Sequence, residues 1–211
     1  MIELLGFSKK YQTPVVDIPA WTFQRGIYLL KGANGSGKST LLQSMAGRLS
    51  FKGNIMVNGH SLKKTPRICR QLVSYAAGEP MFPGFLTGGE LVQFFQKTKG
   101  ISPWPMGHLL EGFEAPSFLE SPIQTYSSGM LKKLALLLAF TGNPDWILLD
   151  EPFNGLDNTS VAALEGFVTQ LYLQYKVSFI IASHQEHPQL MGSGNELLVL
   201  ENKQLRSYDP K

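Results

Sequence analysis

The sequence predicts an α/β fold: a mostly parallel sheet, an antiparallel β layer N-terminal to it, and an inserted helical lobe. Three observations carry that reading. Apolar runs at 27–31, 146–150 and 177–182 alternate with helical stretches, the pattern of strands buried on both faces. Residues 1–31 instead hold short β-type runs punctuated by Pro14 and Pro19. Between 78 and 125 six prolines break the chain into short pieces, with helical patterns at 88–97, 106–113 and 130–140.

In chain order, the N-terminal β-type runs are 2–5, 21–23 and 27–31, with Tyr11 in the connecting segment and a turn at Arg25-Gly26. A helix is expected over 38–49, a strand over 53–57 and a tight turn at Asn58-Gly59. A short helix over 65–71 leads into a strand over 72–76. After the lobe come a buried strand at 146–150, a helix at 159–175 and a second buried strand at 177–182. A closing hairpin, 197–200 with 204–208, turns at 201–203. The expected organisation is one domain, with 1–77 and 142–211 as its α/β core and 78–141 as the helical lobe.

At 211 residues and 43% hydrophobic, the chain can bury a full core. A net charge of +3 gives no sign of nucleic-acid binding, and no nucleic acid is expected as a partner. The local cluster Lys63, Lys64, Arg67 and Arg70 reads as a solvated helix face, the alternative being a patch facing an acidic partner or lipid headgroups. Cys69 is the only cysteine, so no internal disulfide can form and a reducing compartment is expected. The N-terminus lacks a signal-peptide layout, and the longest apolar run, 134–140, is far short of the ~20 residues a span needs.

Straight after the run 27–31 stands GANGSGKST, residues 32–40, which fits G-x-x-x-x-G-K-[ST]. A polyphosphate needs many donors at short range. Main-chain N–H groups supply them only where no Cβ blocks the approach, which accounts for Gly32, Gly35 and Gly37, with Ala33, Asn34 and Ser36 between them. Lys38 reaches the β- and γ-phosphates in this motif, the Ser39 hydroxyl holds Mg²⁺, and Thr40 continues into a helix whose N-terminus faces the anion. The run ILLDE, 147–151, ends an apolar strand in two carboxylates at the sheet edge where open α/β folds bind ligands. Asp150 is thereby placed in the Mg²⁺ shell and Glu151 as the base that orients the attacking water. At YSSGM, 126–130, Ser127 is a good helix N-cap, and the same N-terminus could hold a phosphate.

Taken together, these motifs resemble the nucleotide-binding subunits of ABC (ATP-binding cassette) proteins over essentially the whole chain. GANGSGKST looks like Walker A, ILLDE like Walker B and YSSGM like the ABC signature. Asn154-Gly155-Leu156-Asp157 looks like the D-loop, Ala182-Ser183-His184 like the switch-histidine loop, and Tyr11 stands where the family places an adenine-stacking aromatic. The resemblance implies a P-loop NTPase core and a head-to-tail dimer, homo- or heterodimeric, with each ATP between Walker A of one chain and the signature of the other. It implies that Ser127, Ser128 and Gly129 face the partner's ATP, that His184 contacts the γ-phosphate and that Asp157 links the two sites. ATP and Mg²⁺ are the implied cofactors. Integral-membrane permease subunits are the implied partners, and the cytoplasmic side of the cell membrane the implied location, with the chain bound peripherally.

The sequence departs from the family in two places. Gly78 stands where the family has a Gln that serves Mg²⁺, water and the membrane partner; water fills the place, Glu79 reaches in, or turnover is slow. The signature carries Tyr126, Ser128 and Met130 for the usual Leu, Gly and Gln. The leading functional expectation is the energy-coupling ATPase of a transporter, with the lobe and the apolar loop 81–85 gripping a membrane subunit. No C-terminal regulatory extension follows the closing hairpin, which favours export. The alternatives are a soluble ABC ATPase acting in assembly, such as of iron–sulfur clusters, and an ATP-gated clamp with weak hydrolysis.

Overall fold

The computed structural model describes residues 1–208 apart from Glu186, Met191, Ser193 and Gly194. The elements run β1 (Ile2–Lys10), β2 (Pro14–Phe23), β3 (Ile27–Lys31), α1 (Lys38–Met45), β4 (Lys52–Val57), β5 (His60–Ser61), α2 (Pro66–Leu72) and β6 (Val73–Ala76). There follow α3 (Gly88–Lys99), α4 (Gly107–Gly112), α5 (Ser128–Ala139), β7 (Trp146–Asp150), α6 (Asn158–Tyr175), β8 (Ser178–Ala182), β9 (Glu196–Glu201) and β10 (Gln204–Ser207).

Two sheets result. One is antiparallel, in the order β2-β1-β4-β5. The other has the order β10-β9-β3-β8-β7-β6, parallel from β9 to β6 and closed at one end by the antiparallel β9–β10 hairpin. Every residue of β7 and β8 is buried. Successive side chains point to opposite faces of a strand. Accordingly Ile27, Leu29, Ile147, Leu149, Phe179 and Ile181 pack with the helical lobe and α6. Tyr28, Leu30, Trp146, Leu148 and Ile180 pack with α1 and the antiparallel sheet. Burying a Leu or Ile this completely contributes roughly 1.5–3 kcal/mol each, so the parallel strands anchor both halves of the core.

The β layer differs from the short runs read in the sequence. Residues 2–5 and 21–23 are the ends of one long hairpin, Ile2 pairing with Phe23 and Lys9 with Val16. Pro14 opens β2 and Pro19 lies within it; β2 is an edge strand, where a missing N–H is tolerated. The first helix ends at Met45 rather than at 49. Gly47, at φ 68°, donates to Ser44 O and Arg48 to Gln43 O, a Schellman closure that outweighs the helical pattern beyond it. Conversely α5 begins two residues earlier than 130, because the Ser127 hydroxyl accepts the Met130 N–H at 3.2 Å and brings Ser128 and Gly129 into the first turn. The other α-helices and strands fall within two residues of their expected ends; the two-residue strand His60–Ser61 and the single 3-10 turns Ala115–Ser117, Ile123–Thr125 and Pro188–Leu190 are too short to leave a pattern.

Candidate functional site

Four chain segments meet at the C-terminal edge of the parallel sheet: the loop after β3, and the segments after β6, β7 and β8. The loop 32–37 turns directly into α1. Gly37, at φ 106°, must be glycine, since a Cβ there would stand 2.5 Å from Val16 Cγ2. Lys38 opens α1 and is buried; its ammonium donates to the carbonyls of Gly32 at 2.8 Å and Ala33 at 3.3 Å. It also lies 3.2 Å from His184 Nε2 and 3.9 Å from Glu151 Oε1. Burial lowers its pKa, while the carboxylates of Glu151 and Asp150 pull it back up. Ser36 N donates to Ala33 O, and the buried Ser36 Oγ has no hydrogen-bond partner.

At the end of β7, Asp150 accepts from Ser39 Oγ at 3.0 Å through one oxygen and from Tyr75 OH at 3.1 Å through the other. Burial and the adjacent Asp150 push the Tyr75 phenol far up, so it stays a donor. Glu151 follows in the left-handed region at φ 46°, a strained state for a residue with a Cβ. Its N–H donates to Ala182 O at 2.9 Å, which fixes the turn against β8. The bent backbone turns the carboxylate toward Lys38 and His184. Glu151 Oε1 is 3.0 Å from His184 Nε2, close enough for an ion pair but without the angles of a hydrogen bond. Asn154 Nδ2 approaches the other oxygen at 3.4 Å. Val15, Asn34, Gly35, Lys38, Ser39, Thr40, Glu151, Asn154 and His184 line an open cleft of about 360 Å³.

Ser39 and Asp150 fit a magnesium ion. A hydroxyl and a carboxylate side by side are hard oxygen donors, and Mg²⁺ is usually held by one or two such groups together with substrate phosphates. Among the described residues no group of three or more His, Cys, Asp or Glu could hold a metal without phosphates.

The expected site residues thus fall into two groups. The structure brings the loop, Lys38, Ser39, Thr40, Asp150, Glu151 and His184 together in one chain. Ser127, Ser128 and Gly129 lie apart, at the exposed N-terminus of α5. There Gly129 abuts the turn at Gly155: a Cβ on it would stand 3.0 Å from Gly155 O. Asp157 caps α6 through Ser160 N at 2.8 Å and binds Lys133 Nζ at 3.0 Å, tying the segment before α6 to α5. Tyr11 is exposed in the β1–β2 turn with Lys9 Nζ over its ring, and it does not line the cleft. Gly78 faces Asp150, its would-be Cβ 3.7 Å from the Asp150 carboxyl carbon, and Glu79 is exposed beside it.

Sequence reasoning missed Tyr75, Val15 and Lys132. Tyr75 left no signal beyond a polar ring at the end of a strand, and Val15 none at all. For Lys132 and Lys133 the signal was present: two lysines interrupt an otherwise apolar helix, and both are buried.

The sequence pattern of the family described as ABC transporter matches residues 19–154. The chain is 31% identical to the ABC transporter ATP-binding protein YybJ of Bacillus subtilis, over 88% of this chain and 86% of that protein. It is 30% identical to the bacitracin transport ATP-binding protein BcrA of Enterococcus faecalis, over 87% of this chain. The chain spans 61% of the length of BcrA and 62% of that of a further B. subtilis relative, YhcH. In fold it matches the dimeric structure of a post-hydrolysis state of the ATP-binding cassette MJ0796 bound to ADP and Pi. The TM-score is 0.83 at 17% identity, covering 100% of this chain and 99% of the other. Family pattern, relatives and fold agree with the motifs: the chain belongs to the ABC transporter family, as a nucleotide-binding domain.

Proposed function

We propose that this chain is the ATP-binding and ATP-hydrolysing subunit of an ABC transporter, working as an ATP-bridged dimer on the cytoplasmic side of separate membrane subunits. The observation that carries the reading is the convergence of Lys38, Glu151 and His184 within 3.9 Å of one another, beside the Ser39–Asp150 pair. Main-chain N–H groups of residues 33–37 and the Lys38 ammonium take up phosphate oxygens, in competition with the Gly32 and Ala33 carbonyls. Magnesium, held by Ser39 and Asp150, would neutralise phosphate charge. Glu151 orients a water and takes its proton as the water oxygen bonds to the γ-phosphorus and the bond to the β–γ bridging oxygen breaks. His184, beside Lys38 and Glu151, contacts the γ-phosphate. Tyr11, with its exposed ring, stacks on adenine.

The chain carries both halves of a shared site. Ser127, Ser128 and Gly129 sit on an exposed helix end, apart from their own chain's cleft, and are placed to meet the triphosphate of a second copy or of a related subunit. Asp157, anchored to α5 through Lys133, connects that surface to the base just upstream in the same segment. Residues 78–141 act as the signature lobe on the core 1–77 and 142–211. Exposed Met81 and Phe85, beside a groove of about 280 Å³ that includes Arg48, Arg70 and Phe95, form the surface for a membrane subunit's helix. No helix among the described residues is long and apolar enough to cross a membrane.

The test is MgATP turnover alongside light scattering. The parent chain is expected to turn over, and Glu151→Gln to bind ATP and accumulate as a dimer, with turnover at least ~100-fold lower. Parent-level turnover in that variant removes Glu151 as the base. A second reading, the weakly hydrolysing clamp, draws on Gly78, which offers Asp150 no side chain. It is favoured if the parent itself stays dimeric for minutes in MgATP. With its membrane subunits in inside-out vesicles, the chain is expected to load cargo only when MgATP is outside, the sign of export; loss of preloaded cargo instead means import.

A further inference from the structure

A lysine that is buried without a carboxylate against its ammonium requires a reason, because a charge removed from water must be repaid by its partners. Lys132, in the second turn of α5, is 5% exposed. Its ammonium donates to two main-chain carbonyls and, among the described residues, to no side chain: to that of Gly78 and to that of Glu151 at 3.0 Å. The nearest carboxylates, Asp150, Glu151 and Glu79, act on it only through space, and burial holds its pKa down.

These two carbonyls belong to different functional parts. Gly78 begins the segment that carries exposed Met81 and Phe85 past the groove. Glu151 is the residue held at φ 46° with its carboxylate toward Lys38 and His184. Gly78 is not required for its backbone. Its φ is ordinary, and a Cβ would meet Asp150 O only at 3.4 Å, an ordinary contact. The link from this segment to the site runs from the carbonyl of residue 78 through the Lys132 ammonium, and not through a side chain at position 78.

We propose that Lys132 is a positioning residue: by holding the main-chain oxygens of Gly78 and Glu151 together, it ties α5 and the docking segment to the strained turn that aims the catalytic carboxylate. A displacement of either the 78–85 segment or α5 is then felt at Glu151 without any side chain at 78. The proposal rests on Glu151 being the base, as argued above, and the two can fail separately.

Lys132→Met keeps the buried stem and removes the ammonium. Three quantities are read on the full chain: ATP affinity with a fluorescent ATP analogue, MgATP kcat and KM, and amide exchange across 151–154. Affinity and KM are expected within about threefold of the parent, kcat at least ~10-fold lower, and amide exchange at 151–154 at least ~10-fold faster. Parent kcat, or unchanged exchange at 151–154, overturns the proposal, as does a rise in KM with kcat intact. Should Lys132→Met fail to fold, Lys132→Gln, whose shorter neutral amide can serve one carbonyl at most, is expected to lower kcat at least ~3-fold; parent kcat there overturns the proposal as well. If the parent chain itself shows no turnover, it is the hydrolytic reading that fails, and exchange at 151–154 in Lys132→Met still decides whether Lys132 holds the turn.

Discussion

Glu151 shows how much of a site can depend on one backbone angle. Its left-handed φ costs on the order of 1–3 kcal/mol, and the bond from its N–H to Ala182 O helps to hold it there. The residue type was legible in the sequence, because two acids at the end of an apolar strand after a phosphate loop have few other uses. The angle was not, since it is imposed by β8, thirty residues away in the chain. Tyr75 escaped for the same reason: its hydroxyl matters only because β6 lies beside β7 and brings it to Asp150. Asp157 offers a test at this scale. Hydrogen bonds from Ser160 N and then Lys133 hold its carboxyl far below the usual range. A depressed folded pKa stabilises the fold at pH values above the unfolded value of about 4, and that contribution fades as pH falls below it. Asp157→Ala is expected to lower stability at pH 7 by about 0.5–2 kcal/mol in urea titration and to lower it less at pH 3. An equal loss at both pH values would mean that the charge contributes nothing.

At the scale of elements, the loop and α1 form one device. The Gly37 conformation turns the chain so that Lys38 and Ser39 open the helix facing the cleft, and β2 packs directly beneath through Val16. The glycines were readable from the motif, but their support was not, because Val16 comes from a strand the sequence showed only in fragments. Pro14 and Pro19 argued against a long strand there, and the edge position of β2 is what permits it. Gly37→Ala is expected to destabilise the chain by about 2 kcal/mol or more in chemical denaturation, and to abolish ATP binding in equilibrium titration. A fully stable, ATP-binding variant would show that neither φ nor the 2.5 Å approach to Val16 constrains the loop.

For the molecule as a whole, the parallel sheet is the plate on which everything else is mounted. One face carries the lobe and α6, and the other carries α1 and the antiparallel layer. Leu149, one residue before Asp150 and fully buried, belongs to that plate. Leu149→Ala is expected to cost about 2–5 kcal/mol in a urea titration, and a loss under 1 kcal/mol would mean the lobe is not packed on the sheet as described. The sequence by itself determined the strand–helix alternation, the glycine-rich loop, the two acids after an apolar strand, the histidine after another and the helix cap at Ser127. Each of these is a local pattern, written in residues close together in the chain. Only the tertiary structure decided that β3, β8, β7 and β6 stand side by side, so that Lys38, His184, Glu151 and Gly78 share one edge. It also decided that Tyr75 and Lys132 reach that edge, because partners chosen across long stretches of chain are set by how the two faces of the sheet are filled and leave no periodic trace in the sequence.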